Sequence, residues 1–484
     1  MGVCLRKALP NGSETTPRAL SRIDETCWIC KFRRWHSQNL QQMQVLTIVS
    51  ITQGIDWEVG RMIVRQKYLD KLIAFQDTDL VKVVTGIRRC GKSTLLDMMR
   101  EHLAAQGVPK NRLLTFKMES MELASIADYR ELYDLVVGRI AGQPHTYLFF
   151  DELQNVEGWE KAINALRVDA DCDIYVTGSN AFLLSSELAT LISGRYVEIA
   201  MQPLTFAEYL DFRGASWQPA GKTGSDIALF ADGSFATLSS LFDQYRMFGG
   251  FPYLALQEPN EAKHREYLRS IYQTIIVRDI MTRAQRKGLR AVSNRSVLER
   301  ICAFLADNIG NETSSNKIAG TLKADGESTN RATTDFYIST LVEAYLFNRV
   351  QRYDIKGREL LKTGGKYYIA DAGMRSYLDS YRNTDTGRVL ENLMYNQLVF
   401  DDYDVLVGHL RGGEVDFVAT KPRQKMYVQV TEDMRDEETM RRELAPLKRI
   451  GDEYRKIVVV AEGTYPADID GIEIVNVIDF LLHR

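Results

Sequence analysis

The order of apolar and polar positions predicts alternating strands and helices from Met62 onward. Apolar runs bounded by turn residues or acids predict buried strands at 80–85, 147–150 and 174–177. Segments with helical spacing separate these runs, an alternation typical of an α/β protein with a parallel sheet. Residues 1–61 show no sustained period of either kind. We expect them to be a disordered tail or a wrongly annotated leader, in either case without a chemical role.

The strand at 80–85 runs into a glycine-containing loop and then a helix. The loop reads "GIRRCGKS", which matches G-x-x-x-x-G-K-[ST] in its required strand–loop–helix setting. Glycines let backbone N–H groups converge on phosphate, the lysine reaches the β and γ phosphates, and the serine hydroxyl ligates Mg²⁺. The sequence therefore predicts an ATP site. Its residues are Gly86, Ile87, Arg88, Arg89, Cys90, Gly91, Lys92, Ser93 and Thr94.

Polar residues follow the next two predicted strands. Asp151 and Glu152 come directly after 147–150, at the edge where open α/β sheets bind ligands. We expect Asp151 to hold Mg²⁺ together with the loop serine, and Glu152 to act as general base toward the attacking water. Asn180 follows 174–177 and is expected to sense the γ-phosphate or orient that water. Lys92, Glu152 and Asn180 are thus predicted catalytic residues.

Two further residues keep alternative assignments. Ser179 lies beside Asn180, but it equally suits a turn that caps the next helix. Arg195 follows a helix and is either a catalytic arginine finger, acting in trans if subunits assemble, or a surface arginine. Action in trans would require a homo-oligomer, which the sequence leaves open.

Composition sets only broad limits on the class of protein. The chain has 484 residues, a formal net charge of −3 and 45% hydrophobic residues, as in ordinary soluble proteins. Six scattered cysteines form no disulfide framework, which predicts a cytoplasmic location. No apolar run reaches the roughly 18 residues of a membrane span, so we expect no membrane partner. Contact with DNA would need a local basic surface.

The motifs together resemble those of a known family. The matching stretches include "TGIRRCGKSTLL", "YLFFDELQNVEGWEKAINAL", "YVTGSNAFLLSSELATLISGRYVEIAMQPLTFAEYL", "FGGFPYLAL", "RYDIKGRELLKTGGKYYIADAGMR" and "GRVLENLMYNQL". They look like those of the AAA-type P-loop ATPases of bacteria and archaea that carry a C-terminal domain of unknown function. The resemblance runs from about Met62 to the end of the chain.

The resemblance implies an α/β fold built from four parts after the leader. These are an AAA-like parallel-sheet core, a helical lid, a winged-helix region and a restriction-endonuclease-like α/β domain. The expected boundaries are 1–61 for the leader, 62–205 for the core, 206–295 for the lid, 296–380 for the winged helix and 381–484 for the last domain.

The predicted winged helix raises the question of DNA binding. Helices are predicted at 296–308, 315–323 and 328–346, and a hairpin after them would form the wing. Asn330 and Arg331 would meet DNA from the third helix. The wing carries basic side chains that suit phosphate contact: Arg349, Arg352, Lys356, Arg358, Lys362 and Lys366. The alternative is a module for protein contact or packing, because "TLVEAYLF" in the third helix is typical of a core.

The end of the chain carries part of a metal-dependent nuclease pattern. PD-(D/E)xK nucleases place an acid on one strand and E/Q-x-K on the next, with a lysine that positions water. Asp416 and Gln429 fit the two strand positions, and Glu391 on the preceding helix fits an accessory acid. Thr431 stands where the lysine belongs, and Lys425 is roughly 13 Å from Gln429 along the strand. We therefore expect a degenerate site that has kept the fold without cutting.

The sequence thus predicts an ATPase with ATP and Mg²⁺ as ligands, whose nucleotide state controls engagement of a partner or DNA. One alternative is a DNA-binding regulator that uses ATP only as a binding switch. The other is an ATP-gated nuclease. Glu152 favours turnover over a pure switch, because a general base serves hydrolysis. Thr431 argues against the nuclease.

Overall fold

The computed structural model describes residues 62–179, 194–217, 226–282, 292–361, 364–379 and 386–483. The chain divides into two units, Met1–Met62 and Ile63–Arg484, and every element reported below belongs to the second. The predicted leader lies outside the described residues. Across the ranges that are described, none of the helices combines the length and apolar character needed to cross a membrane.

The first sheet holds the strands that the apolar runs predicted. Within the described residues it has five parallel strands in the order β2-β3-β4-β1-β5. They are β1 (Val81–Thr85), β2 (Leu113–Lys117), β3 (Thr146–Asp151), β4 (Cys172–Thr177) and β5 (Tyr196–Ala200). The accompanying helices are α1 (Gln66–Ala74), α2 (Lys92–Ala105), α3 (Tyr129–Ile140) and α4 (Trp159–Asp169), with 3₁₀ turns at Lys110–Arg112 and Leu153–Asn155. The three predicted strands are confirmed to within two residues, because strands buried on both faces read as continuous apolar runs.

The next segment is helical, as predicted. Its helices are α5 (Phe206–Phe212), α6 (Leu238–Phe248), α7 (Pro252–Ala255) and α8 (Glu261–Thr274), and α8 continues as a π-helix over Ile275–Thr282. The break expected at "GGFP" lies between α6 and α7, where Gly249 has a φ of 80°. Small antiparallel strands were not predicted: β6 (Ser216–Trp217), β7 (Ile227–Leu229) and β8 (Phe235–Thr237). Strands of two or three residues are too short to show alternation.

Three helices and a hairpin follow. The helices are α9 (Arg295–Asp307), α10 (Ser315–Ala324) and α11 (Arg331–Glu343). Helix α11 begins three residues later than predicted because the Asn330 side chain caps it, accepting a hydrogen bond from Thr333 N at 2.9 Å. The hairpin pairs β9 (Phe347–Val350) with β12 (Lys366–Ile369). Between them, β10 (Arg352–Asp354) and β11 (Glu359–Leu360) leave the hairpin and join the C-terminal sheet. The expected wing is therefore divided between two sheets.

The C-terminal sheet has eight strands among the described residues, in the order β11-β10-β13-β14-β15-β16-β18-β17. Its remaining strands are β13 (Asp404–Leu410), β14 (Gly413–Lys421), β15 (Gln424–Thr431), β16 (Arg455–Val460), β17 (Asp468–Ile469) and β18 (Ile472–Asn476). The helices of this region are α12 (Ala372–Leu378), α13 (Thr386–Phe400), α14 (Glu437–Lys448) and α15 (Val477–Leu481). Strands β13, β14 and β15 are antiparallel, and α14 leads from β15 to the parallel strand β16.

One hydrophobic core joins the helical segment to the C-terminal sheet. Phe206 of α5 and Tyr245 of α6 belong to the same buried cluster as Leu393 of α13 and Val428 of β15. Periodicity predicts the apolar face of each helix but not the surface that covers it. The predicted lid is thus packed on elements that lie more than a hundred residues further along the chain.

Candidate functional site

The loop between β1 and α2 has a backbone conformation that depends on its glycines. Gly86 has a φ of 135°, and a Cβ at this position would lie 2.0 Å from the backbone oxygen of Met201. Gly91, with a φ of 106°, precedes Lys92, where α2 begins as predicted. Arg89 also has a positive φ of 69°, which is uncommon for a residue with a side chain. The first N–H groups of α2 thus face the loop, where a helix N-terminus favours phosphate.

Lys92 and Ser93 follow the second glycine, and their side chains point to different partners. The buried Lys92 ammonium donates to the carbonyl oxygens of Gly86 at 2.9 Å and Ile87 at 3.1 Å. The Ser93 hydroxyl donates to Asp151 Oδ1 at 2.8 Å. A hydroxyl and a carboxylate are oxygen ligands of the kind that Mg²⁺ prefers, and substrate phosphates usually complete such a site. The structure therefore brings together the two predicted metal ligands, and their chemistry fits the ion.

The ends of β3 and β4 hold the two predicted acids. Thr177 Oγ1 donates to Asp151 Oδ1 at 2.6 Å and accepts from the Glu152 N–H at 3.0 Å. Glu152 has a φ of 56°, a left-handed value that is uncommon for a residue with a side chain. Its Oε2 accepts from the Ser179 hydroxyl at 3.2 Å and from the Gln154 amide. Ser179 thus contacts the predicted base directly, whereas Thr177 and Gln154 were not predicted.

Arg88 connects the loop to this acidic edge. Its guanidinium lies 3.9 Å from Glu152, 3.6 Å from Glu119 and 3.6 Å from Asp279. Asp279 belongs to the π-helix, a conformation that is rare and often found at functional sites. The sequence had suggested only a general place for Arg88 in the phosphate loop. Its partners are far apart in the chain, so no local pattern could have revealed them.

Arg65 is a second residue that sequence reasoning missed. It caps α1, is buried, and donates to the carbonyl oxygens of Cys90 at 3.1 Å and Gln202 at 2.7 Å. Glu208 neutralises it through two hydrogen bonds of 2.9 and 2.6 Å. The Cys90 thiol is also buried and lies 3.5 Å from the Met201 oxygen. Arg65 therefore links the phosphate loop at Cys90 to the segment that follows β5.

Three predicted site residues lie elsewhere or outside the description. Arg195 is exposed at the start of β5, where its carbonyl accepts from Val81 N at 3.0 Å. Val81 begins β1, so Arg195 lies roughly 17 Å along the sheet from Gly86, where the phosphate loop begins. The finger hypothesis can therefore apply only in trans. Thr94 is exposed in the first turn of α2, and Asn180 lies outside the described residues.

A second cluster of charged residues surrounds Asp416. Lys366 Nζ lies 2.9 Å from Glu391 Oε1, 2.6 Å from Glu414 Oε1 and 3.7 Å from Asp416 Oδ1. The Tyr368 hydroxyl donates to Glu391 at 2.6 Å. The prediction that Lys366 belongs to a basic surface of the wing is wrong, because β12 directs this side chain into the buried carboxylates. Lys366 also supplies an ammonium beside the acids, where the sequence had suggested that the lysine was lost.

Burial controls the protonation of this cluster. Burial, together with the nearby Glu391, raises the pKa of Asp416 to about 8, although Lys366 opposes the rise. Burial lowers the pKa of Lys366, but the attraction of the surrounding carboxylates outweighs it and leaves the pKa above its ordinary value. Across the described part of the chain, no group of three or more His, Cys, Asp or Glu side chains is arranged to hold a metal ion. The ammonium of Lys366 is the cation that these carboxylates share.

The other residues of the expected nuclease pattern have separate contacts. Gln429 accepts from Asp416 N at 3.3 Å and donates to Glu443 at 2.9 Å. The buried Thr431 donates to the carbonyl of Asp433 at 3.2 Å. Lys425 lies 4.0 Å from Asp452. These contacts agree with the inference that Lys425 does not serve Asp416.

Only some of the other basic residues expected to face DNA have exposed side chains. Arg331, Arg349, Lys356 and Arg358 are exposed. Arg352 is half-buried and donates to Glu312 at 2.7 Å. Lys362 lies outside the described residues. The basic surface is thus smaller than the sequence suggested.

Two family models match the chain. Residues 78–210 match the model of the AAA domain, and residues 239–385 match Domain of unknown function (DUF8612). The fold and the loop therefore define a protein with an AAA domain, as the resemblance implied. The region of unknown function covers the middle of the chain, whereas the resemblance placed such a domain at 381–484.

Two relatives of similar sequence carry no assigned activity. An uncharacterized protein of Haemophilus influenzae is 37% identical over 422 residues, which cover 87% of this chain and 99% of that protein. An uncharacterized protein of Methanocaldococcus jannaschii is 30% identical over 319 residues, or 66% of each chain. This chain belongs to the same family as the Haemophilus protein.

Solved structures show weaker similarity. Cdc6p from Pyrobaculum aerophilum is 13% identical, with 70% of this chain and 97% of that chain covered and a TM-score of 0.28. The Aeropyrum pernix ORC1 protein in complex with DNA is 14% identical, with 66% and 94% covered and a TM-score of 0.30. AMPPCP-bound DnaA from Aquifex aeolicus is 14% identical, with 59% and 90% covered and a TM-score of 0.25. Similarity at this level carries no information about function.

Proposed function

We propose that this chain binds ATP with Mg²⁺, hydrolyses the ATP, and uses its nucleotide state to control engagement of a partner or DNA. The observation that carries the proposal is the 2.8 Å hydrogen bond between Ser93 and Asp151 at the mouth of a glycine-dependent loop. This contact unites two motifs, one at the start of α2 and the other at the end of β3. It is the arrangement expected of a phosphate loop and its acidic partner strand.

Each residue of the site has a distinct role in this proposal. Lys92 would leave its loop carbonyls to bind the β and γ phosphates, and Ser93 and Asp151 would hold Mg²⁺. When bound, Mg²⁺ would neutralise charge on the phosphate oxygens. Glu152 would accept a proton from the attacking water at its Oε atoms, while Ser179 and Gln154 orient the carboxylate. Thr177 would fix Asp151 through its hydroxyl.

Binding and turnover are tested by comparing three variants of the full chain. We expect Lys92→Ala to lose ATP binding in calorimetry, whereas Lys110→Ala, an exposed lysine in a 3₁₀ turn, should bind like the wild type. We expect Glu152→Gln to retain binding and to hydrolyse ATP about 10²–10⁴-fold more slowly. Wild-type ATP binding with no hydrolysis, with or without DNA, would favour the binding switch over the ATPase.

An ATP-gated nuclease is a second candidate, and Lys366 is the observation that favours it. The ammonium lies beside Asp416 and Glu391, although it comes from β12 and not from the strand of Gln429. The order α13-β13-β14-β15-α14-β16 also supports the predicted restriction-endonuclease-like fold. We expect plasmid nicking in Mg²⁺ or Mn²⁺ to depend on Asp416 if this candidate is correct. Nicking that persists in Asp416→Asn would come from a contaminant and would remove the candidate.

DNA binding through a winged helix is supported by three helices followed by the β9–β12 hairpin. The exposed Arg331 and Arg349 would contact phosphates. We expect Arg331→Ala and Arg349→Ala each to weaken duplex binding and to reduce the slope of log K against log[salt] by about 1. An unchanged slope in both variants would favour the alternative, a module for protein contact.

A further inference from the structure

A stacked pair of tyrosines borders the phosphate loop. Tyr253 follows Pro252 in α7, and Tyr267 lies on α8, with ring centroids 4.7 Å apart and an interplanar angle of 28°. Tyr253 is 53% exposed, so part of the residue remains open to solvent while Tyr267 stacks on its ring. An exposed aromatic ring that a neighbour holds in place is a suitable surface for stacking a flat ligand.

One contact and one electrostatic interaction place this pair at the loop. The Pro252 ring lies 4.0 Å from the position that a Cβ on Gly91 would take. The positive charge of Arg89, the loop residue with positive φ, acts on the Tyr267 hydroxyl and opposes the rise that burial causes in the pKa of Tyr267. The aromatic pair is therefore tied to the second half of the loop and to the start of α2.

The same loop also has an acidic border, which Arg88 contacts. Arg88 pairs with Glu152 and Asp279, whereas the charge of Arg89 acts on Tyr267. Tyr267 and Asp279 lie on one continuous helical segment, roughly 18 Å apart at 1.5 Å per residue. The segment formed by α8 and the π-helix thus has an aromatic residue near the loop at Tyr267 and an acidic residue near the loop at Asp279.

The acidic and aromatic ends beside the loop would determine the orientation of a bound nucleotide. Ser93 and Asp151 mark the Mg²⁺ and terminal-phosphate end, next to Glu152. The nucleoside must then leave the loop toward the other end, where Gly91 lies beside Pro252, the residue before Tyr253. Aromatic side chains bind nucleobases by stacking, and the contact tolerates different bases because each has a π-face.

We propose that Tyr253, supported by Tyr267, stacks on the base of the bound nucleotide and is the residue by which this site prefers a nucleoside triphosphate to inorganic polyphosphate. This inference rests on the proposed ATP site. It assigns the "GGFP" segment and the tyrosine after it to the nucleotide, although the chain places them more than 150 residues after the loop.

The test measures binding of two ligands to the full chain by calorimetry in Mg²⁺. The ligands are ATP and inorganic tripolyphosphate, which has the phosphates but no base. We expect Tyr253→Ala to weaken ATP binding about 5- to 150-fold and to leave tripolyphosphate binding within about twofold of the wild type. Tyr253→Phe should restore ATP binding. Tyr454→Ala, which removes a tyrosine of similar exposure, 51%, just before β16, should bind both ligands like the wild type.

Photolabelling gives a second readout that needs no activity. We expect 8-azido-ATP to label the peptide that contains Tyr253, with protection by excess ATP and less protection by tripolyphosphate. Equal losses for ATP and tripolyphosphate in Tyr253→Ala would overturn the inference, because the residue would then support only the loop. Undiminished ATP binding in that variant would overturn it as well. A wild-type chain that binds neither ligand would overturn the proposed function and this inference with it.

Discussion

Replacing Lys366 with methionine should destabilise the region around β12 strongly, because the change leaves three carboxylates without their shared cation. The ammonium lies 2.9 Å from Glu391, 2.6 Å from Glu414 and 3.7 Å from Asp416, and Lys366 is only 5% exposed. Methionine keeps much of the length of the side chain and removes the charge. Breaking a buried ion pair by removing one partner costs about 3–5 kcal/mol. Proton uptake by Asp416 would reduce this cost.

Hydrogen–deuterium exchange can measure the effect locally. At about 1.4 kcal/mol for each factor of ten, the expected loss corresponds to exchange that is roughly 10²- to 10³·⁵-fold faster in β12 and α13. The matched control is Lys425→Met, where the lysine is partly exposed and lies 4.0 Å from its acidic partner Asp452. For that variant we expect at most about 1 kcal/mol.

The pH dependence gives the prediction a second test. Because burial raises the pKa of folded Asp416 to about 8, from an ordinary value of 3.8, the folded state holds this proton more tightly than the unfolded state does. The corresponding stabilisation is fully present below about pH 4 and is lost as the pH rises through 8. In Lys366→Met the loss should extend to higher pH, because the ammonium that opposes the rise is gone. Exchange in β12 within tenfold of the wild type, together with an unchanged pH profile, would refute the buried ion network.

Three further predictions concern the nucleotide site. Gly86→Ala should abolish ATP binding, because its Cβ would lie 2.0 Å from the Met201 oxygen, whereas Gly138→Ala has nothing within 4 Å and should bind normally in calorimetry. Thr177→Val should lower kcat about tenfold with little change in KM for ATP, because it removes hydrogen bonds to Asp151 and Glu152. A rise in KM alone would contradict this role. Mixing Arg195→Ala with Lys92→Ala chains should restore ATPase activity if the finger acts in trans, and no recovery in a mixed oligomer would remove that hypothesis.

The sequence revealed the part of the site whose geometry is local. Gly86, Gly91, Lys92 and Ser93 lie within eight residues, and the backbone of one turn sets their relation. Asp151 could be added because the carboxyl ends of parallel strands meet at one edge. For these residues, spacing along the chain therefore predicts relative position in the structure.

The remaining contacts depend on packing between distant segments. In the sequence, Arg65 is an ordinary polar residue before a helix. In the structure, it donates a hydrogen bond to the Cys90 carbonyl oxygen and forms an ion pair with Glu208. Lys366 reads as one more basic residue of a hairpin, and only the packing of β12 against α13 shows its acidic partners. Neither hydrophobic periodicity nor a local sequence motif can predict such a contact.

The division of the hairpin between two sheets has a practical consequence for dissecting this protein. Strand β10 pairs with β13 in parallel, fifty residues later in the chain. A fragment that ends between them would leave an open strand edge, which promotes aggregation. It would also uncover the apolar faces of α5 and α6, because part of their core comes from α13 and β15. Limited proteolysis should therefore yield either the nearly intact second unit or insoluble pieces, and assays should use chains that extend through the last helix.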